Sequence, residues 1–338
     1  MRITVLHNAV PPDARDDELD VLVQVAAVTS ALVQLGHVPT AWPCTLDLET
    51  LRRQLTAARP DVVFNLTEGL GGTDRLQHVA PSLLEALDLP YTGAPAAAHW
   101  LTNDKLLAKT RFQDAGLPTP TWAVAGTAPG LAISGPMIIK AIYEHASVGM
   151  DDTAIVTCRD GRELAARIRA VEARLGKPCF AEQFVDGREF NLSLLAGPHG
   201  PLALPPAEID FGAFPPDKPR IVGYSAKWQA DSFEFVNTPR CFDFPEADAG
   251  LLTRLSDLAC QCWAVFGLRG YNRVDFRVDR DGQPLILEIN TNPCLSPDAG
   301  FTAALERAGI GYAEAMQRII DDALPTPESS GRRKTRTC

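Results

Sequence analysis

Nowhere in these 338 residues does an apolar run approach the ~20 residues that span a bilayer, and the opening MRITVLHNAV turns polar too soon for a signal peptide. Both absences lead to the expectation of a cytoplasmic protein without a membrane partner. Basic residues are also scarce, with 32 Lys and Arg against 42 Asp and Glu, and Arg332, Arg333, Lys334 and Arg336 all fall in the last seven positions. Up to Ser330 the chain carries 28 basic and 42 acidic residues, a net −14. Such a surface repels polyphosphate backbones and excludes nucleic acid as the expected partner; an anionic small molecule would need dedicated lysines. The eight cysteines lack paired metal-site spacing. The one close pair, Cys260-Gln-Cys262, lies in an apolar stretch without nearby histidines and reads as core. A 46% apolar and 22% charged composition rules out disorder, collagen and coiled coil.

What is present reads as alternating strands and helices. RITVLH (2–7), an apolar-rich helix over 18–35 ending at Gly36, DVVFN (61–65), a helix over 74–87 and the strand-turn signal LPYTGAP predict a parallel sheet covered on both faces, an α/β unit over 1–99. A helix over 102–116, then PMIIKAI (136–142), TAIVTC (153–158) and PCFAEQFV (178–185) around a helix over 162–175, predict a small α+β unit over 100–187. A strand over 189–195, a Pro-rich loop region, a helix over 246–266, a hairpin and a final helix make a third unit over 188–325. Residues 326–338 have the composition of a disordered tail. A homodimer is among the expected assemblies, although nothing in the sequence fixes the oligomeric state.

The hairpin GYNRVDFRVDRDGQPLILEINTNP carries the strongest chemical signal. Its turn dipeptide Asp281-Gly282 favours a tight loop, and a symmetric even loop there pairs residues whose numbers add to 563. Asp275 then lies opposite Glu288, and Arg273 opposite Asn290, all on one face. Two carboxylates ~5 Å apart between apolar strands call for a cation. Mg²⁺ suits two carboxylates and the Asn290 amide oxygen, with Mn²⁺ as an alternative, and Arg273 is placed to hold a phosphoryl group or a developing oxyanion. Lys140 closes the apolar strand PMIIK before a loop of small residues suited to phosphate oxygens, and Lys105 and Lys227 are further candidates.

These motifs together resemble the ATP-grasp superfamily, and within it the D-alanine-D-alanine ligases. The resemblance rests on LPYTGA (89–94), TNDK (102–105), IIK with SVGM (138–140, 147–150), EQFVDGREFN (182–191), SAKW (225–228), GYNRVDF (270–276) and LEINTNP (287–293). It implies a three-domain ATP-grasp fold, α/β and α+β, with ATP between the central and C-terminal units. Adenine would lie beside Glu182 and the backbone of Val185, with Leu287 under the base and ribose on Glu189. Lys105, Lys140 and Lys227 would neutralise phosphates beneath a loop of Ser147, Val148 and Gly149, and Asp275, Glu288 and Asn290 would hold two Mg²⁺. It implies an ADP-forming ligase that makes an amide through an acylphosphate, with Arg273, Ser147 and the N–H of Cys294 as the catalytic groups; the Cys294 thiol reads as incidental.

Departures from the family pattern fall at substrate positions. HNAVPPDARDDELD lacks the Gly-rich turn, NLTEGLGG (65–72) replaces a His-Gly motif, Trp228 replaces Tyr, and LSPDAG (295–300) replaces a Ser-Leu pair. Glu68, Trp228, Ser296 and Asp298 are therefore the candidate substrate contacts: Glu68 for an ammonium, Asp298 either repelling a substrate carboxylate unless a cation such as Arg220 intervenes, or capping a helix near Gly300. The substrates expected are small amino-acid or carboxylate and amine molecules, either a pair of D-alanines or another pair for a related ligase. A non-catalytic ATP-binding relative would have lost the metal ligands, which are present. GLGG (69–72) lacks the rest of a dinucleotide-binding fingerprint.

Overall fold

The computed structural model describes residues 1–144, 147 and 149–324; Val148 and the 326–338 tail lie outside the described residues. Strands β1 (Arg2–Asn8), β2 (Val38–Cys44) and β3 (Val62–Leu66) form a parallel sheet in the order β2-β1-β3, joined by helices α1 (Asp16–Gln34) and α2 (Leu48–Ala58). The unbroken apolar run of β3 is buried throughout, as a doubly covered parallel strand requires. The pattern of β2 escaped the sequence reading because Pro39 and Pro43 interrupt it. At the sheet edge a missing N–H is tolerated.

Two expected elements are divided. The helix over 74–87 becomes a 3₁₀ turn (Asp74–Leu76) and α3 (Val79–Ala86), and LPYTGAP contributes a single bridge, Val63 to Tyr91. The helix over 102–116 is two, α4 (Ala96–Asn103) and α5 (Lys105–Asp114). They break at Asp104, whose extended backbone lets its carboxylate accept from the N–H groups of Leu106 and Leu107. Lys105 thereby becomes the first residue of a helix.

The central sheet, antiparallel, has the order β4-β7-β5-β6, from β4 (Trp122–Ala123), β5 (Met137–Ala141), β6 (Ile155–Val156) and β7 (Cys179–Gln183). TAIVTC shortens to the two residues of β6 behind a 3₁₀ turn. Helix α6 (Gly161–Leu175), capped by Asp160, packs Leu164 and Ile168 on Met137, Ile139 and Ala181.

The third sheet has the order β11-β10-β8-β12-β13, with β9 beside the end of β8. Its members are β8 (Arg188–Gly197), β9 (Gly200–Ala203), β10 (Ala207–Ile209), β11 (Arg240–Cys241), β12 (Tyr271–Val278) and β13 (Pro284–Asn290). Two short helices, α7 (Tyr224–Trp228) and α8 (Phe233–Val236), precede β11, and α9 (Ala249–Phe266) packs on the sheet through Leu255, Leu258 and Cys262. Helices α10 (Gly300–Arg307) and α11 (Tyr312–Ala323) return to the first sheet. Ile3, Val28, Phe64, Phe301 and Ile319 share one core, so the two ends of the chain fold as a single body. Among the described residues no helix is long and apolar enough to cross a membrane.

The hairpin pairs Asp275 with Glu288 and Arg273 with Asn290, as the sequence predicts, by a route it does not predict. The loop is odd: Asp279 N–H bonds to Gln283 O, Gly282 takes φ +75, and Val278 pairs with Pro284. A bulge then leaves Leu287 without a partner between Ile286, opposite Phe276, and Glu288, opposite Asp275. The extra residue restores the expected pairing and turns two successive side chains, Leu287 and Glu288, to the same cavity.

Candidate functional site

A cavity of about 950 Å³ is lined by residues from all three sheets. On the central wall, the alternation of β5 sends Met137 and Ile139 under α6 and leaves Ile138 and Lys140 facing the cavity. Lys140 Nζ lies 2.6 Å from Glu182 Oε1, and Lys109 Nζ lies 2.5 Å from Glu182 Oε2. Lys109, which the sequence reading passed over, also donates to Thr119 Oγ1 at 3.0 Å. Burial opposes the Glu182 charge, but the two ammonium groups outweigh it and hold the carboxyl below its ordinary range. Burial also opposes Lys140, whose attraction to Glu182, Glu288 and Glu189 leaves its ammonium raised. For Lys109 burial prevails, helped by repulsion from Lys140, and its ammonium is lowered.

Val185 and Leu287 line the same cavity from different sheets, and Glu189 pairs at 2.8 Å with Arg277 Nη2, a buried residue that the sequence reading did not single out. The spacing of Arg273, Asp275 and Arg277 on one strand face was the signal for it.

The expected cations between the carboxylates are, in this structure, side chains. Arg273 chelates Asp275 through Nε (2.7 Å) and Nη2 (2.9 Å), and Lys105 Nζ lies 3.3 Å from Glu288 Oε2 while donating to the Glu144 carbonyl at 2.6 Å. Asn191 Nδ2 adds a hydrogen bond to Asp275 Oδ1 at 2.9 Å. Burial works against the Arg273 charge, and Asp275 outweighs it and raises the guanidinium further. Two cross-strand carboxylates with the Asn290 amide, all oxygen donors in a cavity, fit a hard divalent ion that completes its shell with phosphate oxygens. Lys227, on α7, lines this cavity too, and desolvation lowers its ammonium against the pull of Glu288 and Asp275.

Ser147 sits at φ +58, a conformation costing on the order of 1 kcal/mol for a non-glycine residue. Its buried hydroxyl donates to the Val222 carbonyl at 3.2 Å. The Gly149 backbone is at φ +76, and a Cβ there would come within 2.9 Å of Leu175. Tyr224 N–H reaches the Met150 carbonyl at 3.3 Å, tying the segment that carries Lys227 and Trp228 to this loop, and both Ser147 and Trp228 line the cavity.

At the other end, the chain leaving β3 carries Glu68, half-buried in the cavity lining. Its N–H donates to Asn8 Oδ1 at 2.8 Å, and its Oε1 accepts from Gln24 Nε2 at 3.1 Å. The same amide nitrogen donates to Asp20 Oδ2 at 3.1 Å. Asp20 was missed: only the fold brings it from α1 to the turn after β13, where it accepts from Ser296 Oγ (2.8 Å) and from Cys294 Sγ (3.0 Å). The Cys294 thiol is thus engaged rather than incidental, and burial first, then Asp20 and Glu68, push its pKa well up, so that it stays protonated. Asp298 is exposed at the cavity and does not cap α10, whose cap residue is Ala299. The cation beside it is Arg240, not Arg220: Arg240 Nη1 donates to the Asp298 carbonyl at 3.0 Å, whereas the Arg220 carbonyl accepts from Arg277.

A family model described as the D-ala D-ala ligase C-terminus matches residues 130–321, more than half of the chain. Among curated relatives, a D-alanine–D-alanine ligase of Moorella thermoacetica is 32% identical over 338 residues (96% of this chain, 99% of the relative), and one of Gloeobacter violaceus is 30% identical over 333 residues (96% and 100%). An uncharacterised Sinorhizobium fredii protein, y4sG, is 32% identical over 306 residues (88% and 86%). Among solved structures, a Bacillus anthracis D-alanine–D-alanine ligase complexed with ATP superposes with a TM-score of 0.68 over 96% of this chain and 97% of its own, at 20% identity. With the fold, the hairpin and these relatives in agreement, the chain belongs to the D-alanine–D-alanine ligase family, ATP-grasp ligases that form carbon–nitrogen bonds.

Proposed function

We propose that this protein is a Mg·ATP-dependent ligase that joins the carboxyl group of one amino-acid substrate to the amine of another through an acylphosphate. The observation that carries the reading is the cross-strand pair Asp275 and Glu288, flanked by Arg273 and Asn290 and opening on the cavity that Lys105, Lys140 and Lys227 also line. Glu182 and the Val185 backbone would hold adenine, Glu189 the ribose and Leu287 the face of the base, with Ser147, Val148 and Gly149 over the phosphates. Two Mg²⁺ ions on Asp275, Glu288 and Asn290 would supply Lewis-acid stabilisation of the phosphoryl oxygens.

The chain's own groups then have separate tasks. Lys105 and Arg273, which now neutralise Glu288 and Asp275, would be released to phosphate and oxyanion when those carboxylates turn to a metal. A substrate carboxylate oxygen attacks the γ-phosphorus and ADP leaves; the second substrate's amine attacks the acyl carbon, and phosphate leaves as the nitrogen gives up its proton. Arg273 and the Cys294 N–H would stabilise the intervening oxyanion, typically worth ~3 kcal/mol per donor. Glu68, with Asp20 behind Gln24, would hold the ammonium of the carboxylate substrate. A pair of D-alanines, as the relatives' names suggest, is one reading. A different amino-acid pair is favoured by the wall that Asp20, Cys294 and Glu68 build at the substrate end.

An ATP-dependent phosphate-release screen over pairs of D- and L-amino acids tests this. Release matched by amide formation for some pair is expected, and silence across all pairs would refute the ligase reading.

A further inference from the structure

The three N–H groups that follow Pro293 in the turn after β13 are used differently. Leu295 N–H donates to Gln24 Oε1 at 3.0 Å, and Ser296 N–H donates to Cys294 Sγ at 3.3 Å. The Cys294 N–H has no acceptor among the described residues, and Cys294 lines the cavity, whereas Leu295 and Ser296 are buried behind it. An N–H that makes no bond does not restrain its own direction, so the turn has to be fixed through its other groups.

Those groups are all held by α1, which belongs to the first sheet. Asp20 and Gln24 stand four residues apart on this helix and therefore share a face. Asp20 accepts from Cys294 Sγ at 3.0 Å and from Ser296 Oγ at 2.8 Å, one on each side of Leu295. Gln24, 2% exposed, takes the Leu295 N–H with its oxygen and donates to Asp20 Oδ2 at 3.1 Å with its nitrogen. Burial first, then Asp20 and Glu68, push the Cys294 thiol up, so it keeps the proton with which it donates. The grip takes the side chains of 294 and 296 and the N–H of 295, and spares only the N–H of 294.

We infer that Asp20 is a positioning residue for amide formation: with Gln24 it holds the turn so that the Cys294 N–H stays open to the acyl oxygen, while Asp20 itself touches no reacting atom. The inference rests on the ligase reading above. In that reaction the acyl oxygen becomes an oxyanion only when the amine attacks, and the earlier transfer of the γ-phosphoryl group to the carboxylate makes none. A donor aimed at the oxyanion acts on the second step. Loss of Asp20 should therefore separate the two steps, which neither a contact to ATP nor a purely structural role would do.

The experiment follows both steps in wild type, Asp20→Asn, Asp20→Ala and Ser296→Ala, with the amino-acid pair that gives the most phosphate release in the screen above. Reversible acylphosphate formation is read without the amine substrate, as migration of a labelled βγ-bridge oxygen of ATP into the non-bridging β positions. The second step is read as amide formed per ADP released. Asp20→Ala should slow amide formation about tenfold or more while migration changes by less than about twofold. ADP should then exceed amide, as water returns the acylphosphate to carboxylate and phosphate. Asp20→Asn keeps one acceptor oxygen and Ser296→Ala removes one of two arms, so each should show a smaller part of the same split, and they decide the matter if Asp20→Ala fails to fold. Migration and amide formation reduced by one common factor, or amide per ADP unmoved, overturns the inference. A higher KM for the carboxylate substrate with amide per ADP unmoved also overturns it, leaving Asp20 to the ammonium alone. Wild type active in both steps with no split in the variants refutes the Asp20 assignment only, whereas wild type with neither migration nor amide from any carboxylate refutes the ligase reading with it.

Discussion

Lys109 and Glu182 meet at 2.5 Å with side chains 1% and 2% exposed, and Lys140 takes the other carboxylate oxygen. One buried anion thus serves two cations, Lys109 buried and Lys140 facing the cavity. Removing it leaves two ammonium groups uncompensated, a change typically costing about 3–5 kcal/mol, whereas Lys109→Met leaves a neutral pair and should cost less. Urea unfolding should rank Glu182→Gln well below Lys109→Met. Because the folded carboxyl is held below its unfolded value, its stabilisation is complete above the ordinary carboxylate range and is lost as pH falls through the depressed value. Glu182→Gln should therefore flatten the acid limb of the stability curve.

Asp275→Asn and Glu288→Gln should each abolish phosphate release, since a single carboxylate holds Mg²⁺ poorly against hydration. Asp275→Asn also takes the chelating carboxylate from the largely buried Arg273 guanidinium, so it should lower the unfolding midpoint as well as phosphate release, whereas Glu288→Gln should act mainly on phosphate release. Turnover in both variants would dismiss the hairpin as a metal site.

At the start of the short α7, Tyr224 N–H donates a long hydrogen bond to the Met150 carbonyl at 3.3 Å. Acylphosphates hydrolyse unless water is excluded, so Mg·ATP and the carboxylate substrate together should draw this segment over the cavity. Tryptophan emission should change in wild type and not in Trp228→Phe. Emission and proteolysis rates unmoved by ligands would argue against closure.

Glu68→Gln should raise KM for the carboxylate substrate by about tenfold, the scale of a charge-assisted hydrogen bond, with little change in KM for ATP. Unaltered substrate kinetics would leave Glu68 as a structural partner of Gln24 and Asn8.

Legibility followed sequence distance. Asp275, Glu288, Arg273 and Asn290 could be placed on one face because two-residue alternation and a turn dipeptide are local signals. Lys105 stood out through the TNDK motif, though not the helix break that starts α5 with it. Asp20, Lys109 and Arg240 had no comparable signal. Asp20 meets its partners 274 and 276 residues on, Lys109 on α5 meets Glu182 on β7, and Arg240 lies on a strand of two residues after two short helices. Each is an isolated charged residue until the fold supplies the other half. The Cys294 thiol was dismissed for the same reason, its acceptor being on α1.

The bulge at Leu287 separates two inheritances of the hairpin. Deleting that residue would let Glu288 slide into the vacated position, still opposite Asp275, because every pair from Phe276 to the turn already follows the shorter count. The carboxylates would keep each other while the cavity lost one apolar side chain. Loss of a single codon at this point would therefore change the apolar lining of the cavity while Glu288 stays opposite Asp275, and insertions elsewhere in the strand, which would flip Glu288 to the far face, have no such freedom.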